Sequence, residues 1–560
     1  MQNVPIGTLL EQYGYVSDAQ VKEALAYQKA HPEMRLGSIF QQLGYITEKQ
    51  LLEALAARMQ LRLVDVKNAR IDPAAVEKIP KQIAQKYNLI AIGLDGNRLT
   101  VAMNDPLNFY AVEDVRQLTQ LSIEVVLDAA ANIADAIEYY YSEIDARDAA
   151  RVANSAAVFD PATLDVVEDI GAATGDEAPI VQALNSLLVR GFSINASDIH
   201  IEPFEDRISV RMRVDGTLTD YVTLSRSLHT SLIARIKILA NLDIAERRLP
   251  QDGHFKTSLN GVDLNARVSI IPTVFGEKAV IRFLSTQVQV DHFKTFGMTE
   301  DNFSKFSQML QSPHGIIYIT GPTGSGKTTT LYMVLEQLSK KLVNISTIED
   351  PVERNLSRVN QVQVNNVAGL TFESGLRSLL RQDPDIIMVG ETRDNETAAI
   401  SVRAAITGHQ VFSTLHTNDA ISSIVRLRDM GIPSYLIASS VVGLVAQRLM
   451  RKVCPYCGEE YEPSAEESAL LGKEFAHLRR GKGCHQCNNT GYKGRIAVHE
   501  VVLLDKALRR MIVADESMDA IYDYVREHQN FQTLRDSALQ LLESGVSTVE
   551  EFRKVAYYSD

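Results

Sequence analysis

Apolar residues along this chain change period several times, and each change marks an element. In "PIGTLLEQYGYVSDAQVKEALAYQ", from Pro5, they recur at helical spacing on both sides of Gly14, and "RLGSIFQQLGYITEKQLLEALAAR", from Arg35, repeats the arrangement around Gly44. Gly7, Gln12, Gly14, Tyr15, Gln20, Glu23, Ala24, Leu25 and Ala26 each return 30 positions later. Each copy predicts a short helix closed by a left-handed glycine. A longer helix then opens on the capping-box spacing Ser17…Gln20 or Thr47…Gln50. Residues 1–60 are therefore expected to form a duplicated helical domain.

Residues 61–145 predict a small α/β domain, with "LIAIGLDGNRLTVAMND" folding as a hairpin around Gly93, Asp95 and Gly96. Residues 146–178 are rich in Ala and Asp without a sustained period, and are expected to be a flexible linker. From Pro179 a helix, "PIVQALNSLLVRGFS", leads into the alternating runs "RISVRMRVDGTLTDYVTL" and "VDLNARVSIIPTVFGEKAVIRFL". These predict a second α/β unit over 179–285. Strand-like runs alternate with helices over 286–560, the pattern of a mostly parallel sheet. The fold class is α/β, multidomain.

At 560 residues the chain exceeds a single core. Hydrophobic residues are 45% and charged residues 23%, ordinary for globular protein. A net charge of −13 argues against a nucleic-acid translocase, which carries a basic footprint. No apolar run reaches the ~18 residues of a membrane span, and "MQNVPIGTLLEQYG" lacks the plan of a signal peptide. A cytoplasmic location is expected, with any membrane link made through a partner.

"GPTGSGKT" fits G-x-x-x-x-G-K-[ST] between a strand, "HGIIYIT", and a helix, "TTTLYMVLEQLSK". Gly321, Pro322, Thr323, Gly324, Ser325 and Gly326 supply a backbone whose N–H groups can face phosphate oxygens, and Thr329 follows in the first helical turn. Lys327 is expected on the β- and γ-phosphates and Thr328 on Mg²⁺, so ATP is the expected ligand. In "DPDIIMVGE", Glu391 lies at the carboxyl end of a buried-type strand, where it could activate water or hold the metal shell. "STIEDPVE" places Glu349, Asp350 and Glu353 after another strand, and "GHQVFSTLHTND" places His409 before a strand and His416 after it.

These motifs, in this order, resemble the secretion ATPase family that drives type II secretion and type IV pilus assembly or retraction. The resemblance implies a RecA-like P-loop ATPase core preceded by an α/β domain and a helical repeat domain, assembled as a homo-hexamer that works on an inner-membrane platform protein. It gives Glu391 as the catalytic glutamate, Glu349 and Glu353 as the acids of the Asp box, and His409 and His416 as the His box. The family's "GEIRD" is "GETRD" here, with Thr392 in place of isoleucine. Arg207, Arg211 and Arg213 alternate along one predicted strand, a pattern that often means only a solvated face. An ATPase needs positive charge on the transferred phosphoryl group, and the resemblance selects Arg211 and Arg226 as arginine fingers.

All four cysteines lie in two CxxC pairs, Cys454/Cys457 and Cys484/Cys487. Cytosolic thiols stay reduced, and four thiolates with no open position suit structural Zn²⁺. Assembly-type members of the family resemble this chain in carrying such an insert, whereas retraction ATPases generally lack it. The N-terminal copies resemble the cyclic di-GMP-binding domain of some pilus and secretion ATPases. Gln28, Arg35, Leu36 and Gly37 match its motif, while Pro5 stands where an Arg, and Arg58 where a Gln, is expected. The reading is a cytoplasmic ATPase motor. The alternatives are a nucleic-acid translocase on a related core and a non-hydrolysing cyclic di-GMP receptor.

Overall fold

In the computed structural model, which describes residues 5–67, 69, 71–158, 179–259, 261–284 and 297–556, the duplicated segment folds as four helices. These are α1 (Ile6–Gln12), α2 (Asp18–Ala30), α3 (Leu36–Gln42) and α4 (Glu48–Met59). Gly14 and Gly44 take φ of 71° and 72°, a conformation only glycine adopts freely. Both capping boxes form, Ser17 with Gln20 and Thr47 with Gln50. The copies share one core. Leu9, Leu10, Val16 and Ala24 pack with Ile39, Phe40, Ile46 and Ala54, the same positions 30 residues on. Across that core the Tyr15 hydroxyl donates to Glu53 at 2.5 Å and Tyr45 to Glu23 at 2.7 Å. Equivalent residues thus exchange the same bond in both directions, a pseudo-twofold arrangement.

The next domain is a four-stranded sheet of β1 (Arg62–Leu63), β2 (Leu89–Asp95), β3 (Arg98–Met103) and β4 (Ser122–Leu127), in the order β1-β4-β3-β2. The expected hairpin joins β2 to β3, with Asp95 opposite Arg98 and Gly96 at φ 55°. The helix Ala130–Val158 follows. It corrects the expected linker, which begins later than residue 146. Ala146, Ala150 and Ala153 are buried at helical spacing, so an alanine-rich stretch that looked aperiodic presents a continuous packed face. Residues 159–178 of that linker lie outside the described residues.

A six-stranded antiparallel sheet comprises β5 (Ala196–Pro203), β6 (Arg207–Val214), β7 (Thr217–Ser225), β8 (Gln251–Leu259), β9 (Val262–Thr273) and β10 (Gly276–Phe283), in the order β7-β6-β5-β10-β9-β8. Ile208, Val210 and Met212 of β6 point into its core, which leaves Arg207, Arg211 and Arg213 on the other face. The chain divides into two compact units, Met1–Phe283 with Gly483–Thr490, and Leu284–Lys482 with Gly491–Asp560.

The second unit is built on a seven-stranded sheet of β11 (Gly315–Thr320), β12 (Ile345–Glu349), β13 (Val359–Gln363), β14 (Ile386–Val389), β15 (Gln410–Leu415), β16 (Val441–Val453) and, later in the chain, β19 (Tyr492–Leu503). Their order is β13-β12-β14-β15-β11-β16-β19, parallel throughout except for the last pair. Ile316 and Tyr318 enter the core on one face of β11, and Ile317 and Ile319 that on the other. Burial on both faces explains why these strands read as unbroken apolar runs. A short hairpin of β17 (Gly458–Tyr461) and β18 (Leu478–Gly481) branches from the β16–β19 pair.

Candidate functional site

β11 ends at Thr320, and the loop 321–326 delivers the chain to the helix Lys327–Leu338. Gly321, Gly324 and Gly326 take φ of 149°, 80° and 87°. A Cβ on Gly321 would lie 2.5 Å from the Gln447 carbonyl, and one on Gly326 2.9 Å from the Gln447 Nε2. The loop is therefore seated directly on β16, and only glycine fits. Gln447 braces it from below, its Nε2 donating to the Ser325 carbonyl at 2.8 Å and its Oε1 accepting from the Thr330 hydroxyl at 2.9 Å. Nothing in sequence spacing pointed to Gln447, because its role depends on β16 lying beside β11.

Lys327 is buried and curls back, donating from Nζ to the Gly321 carbonyl at 2.7 Å and the Pro322 carbonyl at 3.1 Å. Burial pulls its pKa down to about 8, nearby Arg448 adds to the shift, and Glu391 opposes it. An ammonium under that strain is poised for an anionic partner. The buried Ser325 Oγ has no hydrogen-bond partner, another vacant polar valence in the cradle. Pro322, Thr323, Gly324 and Thr328 are exposed along the loop and first helical turn, and Thr329 is half-buried. These features fit a nucleotide's phosphates, and the exposed Thr328 hydroxyl fits the shell of their metal ion.

Glu391 lies two residues beyond β14 and His416 one beyond β15, so both share the carboxyl edge of the sheet with the phosphate loop. The Glu391 carboxylate pairs with Arg393 at 2.7 Å and lies 3.9 Å from His416 Nε2. Burial, then the charge of Lys327, lowers the His416 pKa. Thr392, the departure noted in the sequence, is buried, and its hydroxyl meets the Ser413 hydroxyl at 2.8 Å. An isoleucine there would strand Ser413.

Other expected residues are placed differently. Glu349 ends β12, buried, its carboxylate accepting from the Tyr332 hydroxyl, from Thr347 Oγ1 at 2.5 Å and from Gln361 Nε2 at 3.1 Å. Glu353 is exposed, and its backbone N–H donates to the same Tyr332 hydroxyl at 3.0 Å. His409 precedes β15 and is therefore at the opposite edge, about 20 Å away at ~3.3 Å per residue. Its Nδ1 contacts the Ala404 carbonyl at 3.0 Å. This corrects the pairing of His409 with His416: a strand with one histidine at each end separates them by its own length. Arg448 is buried and donates to the Asn418 carbonyl at 2.7 Å, bracing the loop after His416.

In the first unit, Arg211 on β6 pairs with Glu202 through Nε and Nη2, both at 2.7 Å, and Glu202 raises its pKa. Arg226 donates to the Phe275 carbonyl at 2.5 Å. Gln28 Nε2 donates to the Met34 carbonyl at 3.1 Å, which brings it beside Arg35. Arg35 makes two 2.7 Å contacts to the Asp105 carboxylate. Leu36 and Gly37 open α3, and Gly37 is so close to Leu51 that a Cβ would approach it to 2.8 Å.

Sulfur atoms of Cys454, Cys457, Cys484 and Cys487 all lie within 4.8 Å of one another. Cys484 and Cys487 are 3.8 Å apart, the edge expected of a tetrahedron with ~2.3 Å metal–sulfur bonds. Backbone bonds tie the two knuckles, Cys454 N–H to the Gly491 carbonyl at 2.9 Å and Lys482 N–H to the Cys457 carbonyl at 3.0 Å. The hairpin β17–β18 and the helix Ala465–Leu471 fill the long interval between the pairs. The cluster could hold a metal ion. No helix among the described residues is long and apolar enough to cross a membrane.

Residues 173–554 match the type II/IV secretion system protein family, and residues 59–147 match the MshEN domain. The second match falls on the small α/β domain rather than on the repeat at 1–60. The type IV pilus assembly ATPase PilB of Thermus thermophilus is 39% identical over 89% of this chain, which spans only 56% of that protein's length. Myxococcus xanthus PilB is 39% identical over 87% of this chain and 88% of its own. The type II secretion system ATPase E of Vibrio cholerae is 38% identical over 87% of this chain and 98% of its own. Among solved structures, the Legionella pneumophila ATPase DotB superposes with a TM-score of 0.50 at 22% identity, covering 67% of this chain and 95% of DotB. That likeness concerns the fold.

Proposed function

Because the chain belongs to the type II/IV secretion system protein family, we propose that it is an ATP-hydrolysing motor, working as a cytoplasmic homo-hexamer that powers assembly of a type IV pilus or a type II secretion pseudopilus. The observation that carries this reading is the meeting of Lys327, Glu391 and His416 at one sheet edge, with Lys327 desolvated and, among the described residues, anchored to its own loop carbonyls. Lys327 and the loop amides bind the β- and γ-phosphates. Thr328 holds Mg²⁺, which neutralises charge on the phosphates when bound. Glu391 accepts the proton of the attacking water as its oxygen bonds to the γ-phosphorus, and ADP leaves with the bridging oxygen. His416, its pKa lowered, is neutral at pH 7 and keeps one ring N–H to offer beside Glu391. Glu349, saturated by three donors, holds the β12 edge in place.

Arg211 and Arg226 are the arginine fingers of this reading. Four thiolates bind one Zn²⁺ and close the β16–β19 edge. Gln28, Arg35, Leu36 and Gly37 form a cyclic di-GMP site whose guanidinium is held by Asp105 until ligand replaces it. An inner-membrane platform protein receives the stroke. The test is ATPase activity of the full chain with detergent-solubilised membranes or with DNA. Stimulation by membranes, with co-purification of a membrane protein, supports the motor. Stimulation by DNA alone favours the translocase.

A further inference from the structure

Glu391 is tethered by a short segment held from both sides. The Gly390 N–H donates to the Ile348 carbonyl of β12 at 2.8 Å, and the Gly390 carbonyl accepts from the Thr414 hydroxyl of β15 at 2.7 Å. The Thr392 N–H donates to the Thr414 carbonyl at 3.0 Å, and the Thr392 and Ser413 hydroxyls meet at 2.8 Å. Thr392, Ser413 and Thr414 are all buried, Ser413 completely. Two of the four bonds come from side chains, both reaching β15. No such tie acts on Glu391 itself, whose carboxylate contacts the exposed Arg393 and the half-exposed His416.

We propose that the Thr392–Ser413 hydroxyl pair sets the position of the Glu391 carboxylate, which makes Thr392 a positioning residue for hydrolysis in this chain. The proposal rests on Glu391 being the general base. Ser413 depends on Thr392 for its hydrogen bond in this dry layer, whereas the Tyr318 hydroxyl of β11 also reaches Thr392. Losing Thr392 strands Ser413, and losing Ser413 leaves Thr392 to turn toward Tyr318, so either way a buried hydroxyl moves to find another partner. The peptide after Glu391 moves with it. Misplacement of a catalytic group by about 1 Å can cost ~10²-fold in rate. Nucleotide binding depends on the loop 321–326, which has no bond to this pair, so the effect belongs in kcat and not in KM. The family's isoleucine at this position needs no partner, and Ser413 is the complement that makes a threonine tolerable here.

The test is a double-mutant cycle on the full-length chain with Thr392→Val, Ser413→Ala and both together, measuring ATPase kinetics. Each single variant should lower kcat by roughly 10-fold with KM for ATP unchanged. The double variant removes both polar groups and should recover most of that loss, a coupling of roughly 3- to 30-fold in kcat. Thr392→Ser keeps the hydroxyl and should stay close to wild type, and it is the variant to read if the valine fails to fold. Additive effects in the cycle, or kcat in Thr392→Val within about twofold of wild type, would overturn the proposal. Failure of the underlying reading looks different: Glu391→Gln would then retain turnover whatever the cycle shows.

Discussion

The Tyr332 hydroxyl is a single atom whose loss can be followed through the structure. It donates to Glu349 and accepts the Glu353 N–H at 3.0 Å, while its ring is 2% exposed and packed in the core beneath the phosphate-loop helix. Tyr332→Phe keeps the ring and removes only the oxygen. Glu349 then keeps two donors, Thr347 and Gln361, for a carboxylate that is itself 2% exposed. A hydrogen bond to a buried charge contributes ~1.5–3 kcal/mol. For domains of this size each kcal/mol moves the melting midpoint by ~2–4 °C. A loss of about 2 kcal/mol therefore predicts a midpoint about 4–8 °C lower for the second unit, read by calorimetry without nucleotide. Tyr332→Phe with Glu349→Gln should lose less than the two single changes summed, since the charge that needed the donor is gone. A midpoint within about 1 °C of wild type, or strict additivity, would refute the structural role given to Glu349.

Further outcomes follow from the same geometry. Lys327 has its pKa depressed to about 8 in the free chain, and a bound polyphosphate would raise it. Binding above pH 8 must then take up a proton, so ATP Kd should be flat below pH 8 and rise up to ~10-fold per unit above it; a flat profile to pH 9.5 in fluorescence titration would contradict this. Cys454→Ser should remove about one zinc per chain by metal analysis and lower the melting midpoint, because structural zinc contributes to folding; full zinc occupancy in the variant would count against the cluster. Asp105→Asn frees Arg35 and should tighten cyclic di-GMP in calorimetry, while Arg35→Ala abolishes it; equal affinity in both variants would remove Arg35 from the site. Arg226→Ala should lower turnover in rings and show partial recovery when mixed with Glu391→Gln chains, if it acts across subunits; no recovery in any mixture would exclude an in-trans role.

Much of this was legible in the chain, and the reasons differ by element. The repeat was readable because Gly14 and Gly44, Ser17 and Thr47, and four pairs of core residues lie at one fixed offset. The phosphate loop was readable because its glycines obey a local backbone constraint. Glu391 and His416 were readable because strand polarity alone puts them at one edge. The same polarity puts His409 at the far edge, and only the family motif, which spans the strand, had grouped it with His416. Gln447, Tyr332 and Ser413 were invisible for a related reason: each acts through a neighbouring strand or helix that is distant in sequence. The helix through 146–158 was missed because alanine spaced by three or four is a weak apolar signal until packing is seen.

The most direct test of the central claim is Mg²⁺-dependent ATP turnover by the full chain, compared with Glu391→Gln under saturating nucleotide. The geometry at the sheet edge predicts that wild type hydrolyses ATP, and that Glu391→Gln binds it with similar affinity but turns over ~10²-fold or more slowly, as expected for removal of a general base. Turnover in Glu391→Gln close to wild type, or a wild-type chain that binds ATP without hydrolysing it, would contradict the account.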